Sequence, residues 1–279
     1  MNIRLLLVPY DSGQRNVRMG AGPERLRSVG LAQHLADRGH DVDVGVIEAA
    51  SLHWRAEVQT SFELMRSVAE EIRAARKAQR FPLVLSGNCL AAVGVIAGLG
   101  EGTGVIWIDA HGDFNTPQTT MSGFLDGMTL ATATGRCWVE LARSIEGFAP
   151  VPEKAVVMLG VRDLDPGEEA ALAKSPVVRL TADAAPNEIE KMLHTLGPTM
   201  QRFYIHLDLD ALDPTEGRAN GYAVRGGFRR ETLEKLLARI AGHLPIEAMT
   251  IAGYDPSYDA EGKVCATAFA AANEVVGKL

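Results

Sequence analysis

Two short stretches of the chain place metal-ligand side chains at alternate positions. In "WIDAHGDFNTP", residues 107–117, an apolar run over 104–108 ends in Asp109, His111 and Asp113. In "YIHLDLDALDP", residues 204–214, a second apolar run leads into Asp208 and Asp210. A strand has a side-chain period of two, so the members of each set project to one side. Carboxylates buried without a partner are costly, so a positive group belongs between them. Four carboxylates and one imidazole can neutralise two divalent cations. Two such ions about 3.5–4 Å apart can share a bridging water and deprotonate it. Oxygen-rich ligation with imidazole suits Mn²⁺, and Fe²⁺, Co²⁺ and Zn²⁺ remain open. His206 has the same parity as Asp208 but lies one step deeper, and reads as a core residue. His34, His40, His53, His194 and His243 fall in helical or loop patterns and read as surface groups.

Strand ends of this kind need a sheet to carry them. Apolar runs at 3–8, 41–46, 82–85, 104–108, 155–159, 177–180, 203–207 and 249–252 alternate with amphipathic stretches such as 23–37, 60–78, 186–196 and 230–243. Pro23 and Pro186 stand where helices begin, at positions where a missing N–H costs least. Several runs are continuously apolar and rich in Val, Ile and Leu, which predicts parallel strands covered on both faces. The expectation is one α/β domain over 1–279, three layers deep, with a central, mostly parallel sheet of about eight strands flanked by helices. In such sheets ligands bind outside the carboxyl ends of the strands, where both motifs sit.

Composition bounds the rest. The chain has 279 residues, 47% hydrophobic and 23% charged, enough for a sizeable core. A net charge of -7 with no basic cluster gives no electrostatic footprint for nucleic acid. No apolar stretch reaches the roughly 18 residues of a membrane span. The start, "MNIRLLLVPYDSG", reads as a first strand rather than a signal peptide. Three cysteines, Cys89, Cys137 and Cys265, make no disulfide framework. A cytoplasmic protein without nucleic-acid or membrane partners is expected.

With these motifs the chain resembles the arginase-like ureohydrolase family, which includes arginases, agmatinases and formimidoylglutamases. "GAGPERLRSVGL", residues 20–31, is similar to the family's first helix, and "DAHGDFNTP" and "HLDLDALDP" to its two metal motifs. The resemblance covers nearly the whole chain. It implies one α/β domain and hydrolysis of a C–N bond at a guanidinium or similar group by a hydroxide bridging two Mn²⁺. It implies that Asp109 and Asp208 bridge the ions, that Asp113 completes one site, and that His111 and Asp210 complete the other.

Three positions depart from the family pattern. "LSGNCLAAVG", residues 85–94, carries Cys89 where the family has a metal-binding His, and Asn88 where it has an Asp. Cysteine ligates only as thiolate and is a soft partner for Mn²⁺, so this site is expected to be the weaker one. As an alternative, Cys89 is a small packing residue. In "TTMSGFLDGMTLA", Asp126 stands where arginases carry a proton-shuttling His. A carboxylate can relay protons if burial raises its pKa, or it can pair with a cationic substrate. In "TIAGYDPSYD", Gly253 stands where the family has a guanidinium-holding Glu, and Asp255 is the candidate substitute.

The other end of the implied site is intact. Asn115, Thr120 and Ser122 match the residues that hold the α-carboxylate in arginases. "RDLDPGE" supplies Asp165 and Glu168, which match the carboxylates that meet the α-ammonium, directly or through water. As an alternative, these two are simply acidic residues opening a helix. The combination implies a hydrolase of an arginine-like α-amino acid, modified rather than plain, with Nω-hydroxy-L-arginine first and a formimino-amino acid second. Ordinary arginase or agmatinase activity, or a catalytically silent relative that binds an amino acid, are the alternatives. The family prior for assembly is a homo-oligomer, trimer or hexamer.

Overall fold

The computed structural model of the chain describes residues 1–50 and 56–279; His53 lies outside the described residues. The strands are β1 (Asn2–Val8), β2 (Tyr10–Asp11), β3 (Gln14–Arg15), β4 (Asp41–Val46), β5 (Phe81–Ser86), β6 (Thr103–Ile108), β7 (Val156–Leu159), β8 (Val178–Leu180), β9 (Arg202–Asp208) and β10 (Ile246–Ala252). The helices are α1 (Gly22–Ser28), α2 (Leu31–Ala36), α3 (Glu57–Lys77), α4 (Ala91–Leu99), α5 (Thr129–Ala133), α6 (Val139–Arg143), α7 (Pro166–Leu172), α8 (Pro186–Leu196), α9 (Arg230–His243) and α10 (Lys263–Val276). Eight strands form one sheet in the order β4-β1-β5-β10-β9-β6-β7-β8. Every neighbouring pair in it is parallel. β2 and β3 make a separate antiparallel pair.

The continuous apolar runs are explained by two cores, one on each face. Leu5, Leu7, Leu83, Leu85, Ile106, Ile108, Ile205 and Leu207 pack with side chains of α1, α2, α8, α9 and α10. Their neighbours Leu6, Val84, Val105, Trp107 and Tyr204 pack with α3, α4 and α5. Each fully buried side chain of this kind contributes roughly 1.5–3 kcal/mol. Both faces are covered, so most of the polarity falls at the strand ends. Asp109 and Asp208 share the parity of Trp107 and Tyr204. They therefore emerge on the α4 side of the sheet, where Cys89 sits between β5 and α4.

The eight expected strands are all present, as are α8 and α9 at their expected bounds. One stretch differs. The single helix expected over 23–37 is two, α1 and α2, broken at Gly30 with φ +98°. The apolar spacing reads through the break because Leu26, Leu31 and Leu35 enter the same core. Among the described residues no helix is long and apolar enough to cross a membrane.

Candidate metal centre and substrate cavity

Loops after β5, β6 and β9, three of the four adjacent central strands, meet at the carboxyl edge of the sheet in a cavity of about 280 Å³. That is the size class of a single small ligand. Cys89, Asp109, His111, Asp113, Asn115, Thr120, Ser122, Asp126, Asp165, Glu168, Asp208 and Asp210 all line it. The order of the sheet is what brings them together. β6 and β9 are direct neighbours, with Ile108 paired to Leu207, so their acidic ends lie side by side.

His111 stands between carboxylates. Its Nδ1 is 3.4 Å from Asp109 Oδ1 and 3.4 Å from Asp210 Oδ2. The His111 backbone N–H donates to Asp109 Oδ1 (2.7 Å), and that of Asp210 donates to Asp208 Oδ1 (2.8 Å). Burial raises Asp109 to about 6, and the charge of Asp210 adds to this. Burial also pushes Asp113 and Asp208 well above the usual carboxylate range, helped by Asp109 in the first case and Asp210 in the second. For His111, burial opposes the charge, but Asp210 and Asp109 outweigh it and raise the imidazole strongly. For Asp210, burial is outweighed by His111 and by the amide of Asn220, and the carboxyl is held low.

Asp113 adopts φ +47°, the left-handed region that non-glycine residues rarely occupy. Its backbone carbonyl accepts the N–H groups of Leu130 and Ala131, which hold the turn. Its Oδ2 is buried with no hydrogen-bond partner among the described residues. A strained acidic residue, an orphaned carboxylate oxygen and three further buried carboxylates are what a divalent pair would relieve. The donor set fits such a pair.

The three departures from the family pattern look different in three dimensions. Cys89 is buried and its Sγ donates to Asp208 Oδ2 (3.2 Å), with Asp109 Oδ2 at 4.0 Å. Burial raises its thiol pKa well above the ordinary value, and the charges of Asp126, Asp208, Asp113 and Asp109 raise it further. Without a cation it is a thiol. Asp126 is clamped: Oδ1 accepts the Leu90 N–H (2.9 Å) and Oδ2 accepts the Asn88 side-chain amide (2.8 Å). Burial lifts it to about 7 against those hydrogen bonds. Asn88 is itself fixed by the Ser12 backbone N–H (2.7 Å). The exchanges at 88 and 126 thus belong together, since a carboxylate at 88 would face the one at 126.

At Gly253, with φ +73°, a Cβ would collide with both carboxylate oxygens of Asp208. The space of a side chain at 253 is filled by Asp208 itself. Asp255 does not substitute for it. Its Oδ1 accepts the N–H and hydroxyl of Ser257, which caps its own turn, and it does not line the cavity. That expectation is corrected: strand parity ends with β10 at Ala252, three residues before Asp255, and so does not aim it.

At the far end, Asn115 donates to Asp165 Oδ2 (3.0 Å) and accepts from Thr119 (2.9 Å). The hydroxyl oxygens of Thr120 and Ser122 accept the N–H groups of Gly123 and Phe124, and among the described residues neither O–H donates, so each can donate into the cavity. Asp165 caps α7, and Glu168 completes the capping box. Glu168 Oε1 also accepts the Phe114 N–H (2.7 Å), and burial raises the carboxyl to about 7. Glu168 is therefore both a structural acceptor and a lining residue.

Sequence reading missed four residues here. Asn220 donates to Asp210 Oδ2 (3.1 Å) and to the Gly253 carbonyl (2.8 Å), tying β9 to the end of β10. Its only local signal is an Asn-Gly turn dipeptide. Tyr222 and Phe124 stack at 5.8 Å and line the cavity together. Asp163 approaches His111 Nε2 at 3.9 Å. His206 is a core residue as expected, with no exposure and stacked on Trp107 at 3.7 Å, but its Nε2 has no hydrogen-bond partner among the described residues.

The model of the arginase family matches residues 1–277. The arginase of Bacillus subtilis strain 168 is 31% identical over 300 residues, covering 99% of this chain and 98% of that one. The arginase of Bacillus caldovelox is 29% identical over 294 residues with the same coverage. A crystal structure of the Bacillus subtilis arginase superposes with a TM-score of 0.91 at 28% identity, covering 100% of this chain and 99% of that one.

Proposed function

As the chain belongs to the arginase family, whose members are hydrolases of C–N bonds in linear amidines, we propose that it acts on an arginine-like α-amino acid whose reacting group is less basic than the guanidinium of arginine, with Nω-hydroxy-L-arginine the first candidate. The observation that carries this reading is a contrast within one cavity. The end lined by Asn115, Thr120, Ser122 and Asp165 keeps its polar groups, while the end lined by Cys89 and Asp126 and backed by Gly253 is altered.

A divalent pair held by Asp109, His111, Asp113, Asp208 and Asp210, with Mn²⁺ the first candidate, would supply a water acidic enough to attack a guanidine carbon near neutral pH. The chain supplies the rest. The hydroxyls of Thr120 and Ser122 and the Asn115 amide offer donors for an α-carboxylate. Asp165, beside Asn115, offers an acceptor for an α-ammonium. Asp126, poised at about 7 and clamped on both oxygens, can hold a proton at neutral pH and pass it to a leaving amine.

With glycine at 253, the reacting group meets no fixed carboxylate from the end of β10. Plain arginine carries a strongly basic guanidinium that benefits most from such a partner. A hydroxyl on the guanidine lowers its basicity and adds an oxygen that a metal can attract, which lessens the loss. Agmatine has no α-carboxylate to use the retained donors. Binding to the metal-loaded protein tests this half of the reading. L-Ornithine is expected to bind or compete, and putrescine, which lacks the carboxylate, is not. Equal binding of the two would overturn the α-amino-acid reading.

A further inference from the structure

His206 ends in a ring nitrogen that nothing in the hydrolytic scheme uses. It lies on β9 with Tyr204 and Asp208, all three on one side of the strand, and is fully buried. Trp107, its register partner on β6, stacks on it at 3.7 Å and fixes the ring plane. Nδ1 is 3.2 Å from the Tyr204 hydroxyl. Nε2 has no hydrogen-bond partner among the described residues. A buried, unpaired ring nitrogen is costly unless something occupies it.

The ring points into the cluster that Cys89 has altered. A ring nitrogen of His206, Cys89 Sγ and a carboxylate oxygen of Asp109 all lie within 4.8 Å of one another. Asp208 Oδ2 is 3.2 Å from the same sulfur. Ligands 2.0–2.3 Å from an ion at tetrahedral angles stand about 3.5 Å apart, so small movements would close this set around one cation. Nδ1 faces the Tyr204 hydroxyl, so Nε2, which has no partner among the described residues, is the nitrogen available to an ion.

We propose that Cys89, His206, Asp109 and Asp208 form an inner metal position with sulfur, nitrogen and oxygen donors that selects Zn²⁺ or Co²⁺ over Mn²⁺. The inference rests on the reading that this acidic cluster binds divalent ions. The Cys89 thiol loses its proton to solvent as the sulfur–metal bond forms. His206 keeps its proton on Nδ1, donates it to the Tyr204 oxygen and gives its Nε2 lone pair to the ion. Thiolate and imidazole favour Zn²⁺ and Co²⁺, whereas Mn²⁺ prefers carboxylates. The replacement at 89 then changes the ion as well as weakening a manganese site, and His206 on the neighbouring element supplies the imidazole.

Titration of the metal-free protein with Co²⁺, followed by absorption, tests the proposal without measuring turnover. A thiolate-to-cobalt charge-transfer band and intense tetrahedral ligand-field bands are expected. Cys89→Ser should abolish the charge-transfer band. His206→Gln should lower Co²⁺ affinity at this position at least about 10-fold, because even indirect partners of a metal ligand are worth 10–100-fold. A filled protein with no charge-transfer band, or a His206→Gln variant with unchanged affinity and spectrum, would overturn it. Should His206→Gln not fold, ¹⁵N-histidine spectra of the natural chain with two equivalents of Zn²⁺ decide. Two of its seven imidazoles, His206 and His111, are expected to become ligated; ligation of one alone overturns the proposal. Binding of no divalent ion in any experiment would instead remove the underlying metal reading.

Discussion

Cys89 and Asn88 are the residues where the site departs most from a manganese centre, and each gives a direct test. Replacing Cys89 by His restores an imidazole beside Asp109 and Asp208. Mn²⁺ affinity at the weaker of two sites should rise at least about 10-fold, read by titration calorimetry. Two equally tight Mn²⁺ sites in the unmutated protein would contradict this. Asn88→Asp places a second carboxylate 2.8 Å from Asp126 Oδ2 and removes a donor. Like charge raises a carboxyl pKa, so Asp126 should stay protonated to higher pH. The pH–rate profile should move to the alkaline side and kcat/KM should fall about 10-fold or more, within the range general acid–base groups supply. An unchanged profile would show that Asp126 moves no proton. The clustered carboxylates and imidazole at the ends of β6 and β9 were legible in the sequence because period-two spacing at the end of an apolar strand states both direction and chemistry. The roles of Asn220, Gly253 and His206 were not. They depend on contacts from Asn220 to Asp210 and Gly253, from Asp208 to Gly253, and between the rings of His206 and Trp107, all across separate segments.

At the scale of elements, the site depends on turns that force side chains back towards the sheet. The break between α1 and α2 shows what the spacing of apolar residues leaves out. Both halves face one core, so periodicity reports a single helix, and only the positive φ at Gly30 marks the change of direction. A Cβ there meets no neighbouring atom of the described residues, so Gly30→Ala tests backbone strain alone. It should cost about 1 kcal/mol, measured by denaturant unfolding with unchanged metal content. No loss would mean that the chain turns there without needing glycine. The α7 capping box couples this element to the cavity, because Glu168 accepts from both Asp165 and Phe114. Propensity rules recover the cap, but the bond to Phe114, 54 residues earlier, follows only from the fold.

For the whole molecule, a sheet with cores on both faces and acids at one edge carries a pH signature. Burial raises Asp109 to about 6 and Asp126 and Glu168 to about 7. A carboxyl raised in the folded state binds protons that the unfolded chain has released. The stability it contributes is complete below its unfolded value and is lost as pH rises through the folded one. His111, raised by Asp210 and Asp109 against burial, acts in the same direction above pH 6.5; His206, lowered to about 3 by burial, opposes them up to pH 6.5 but is one group against several; and Asp210, held low, changes nothing above about pH 4. Metal-free protein should therefore melt at a higher temperature at pH 5.5 than at pH 8, and Mn²⁺ should stabilise it at pH 8 more than at pH 5.5. The opposite order in the metal-free protein would show that the carboxylates are not held as described. The central claim is that one cavity keeps the amino-acid end and gives up the features that plain arginine needs. The most direct measurement is ornithine release from L-arginine and from Nω-hydroxy-L-arginine, side by side at pH 7–8. It should be made with Mn²⁺, Fe²⁺, Co²⁺ and Zn²⁺, using Asp113→Ala as the blank. Faster release from the hydroxylated substrate, with poor turnover of arginine, is the predicted result; efficient hydrolysis of arginine would contradict it.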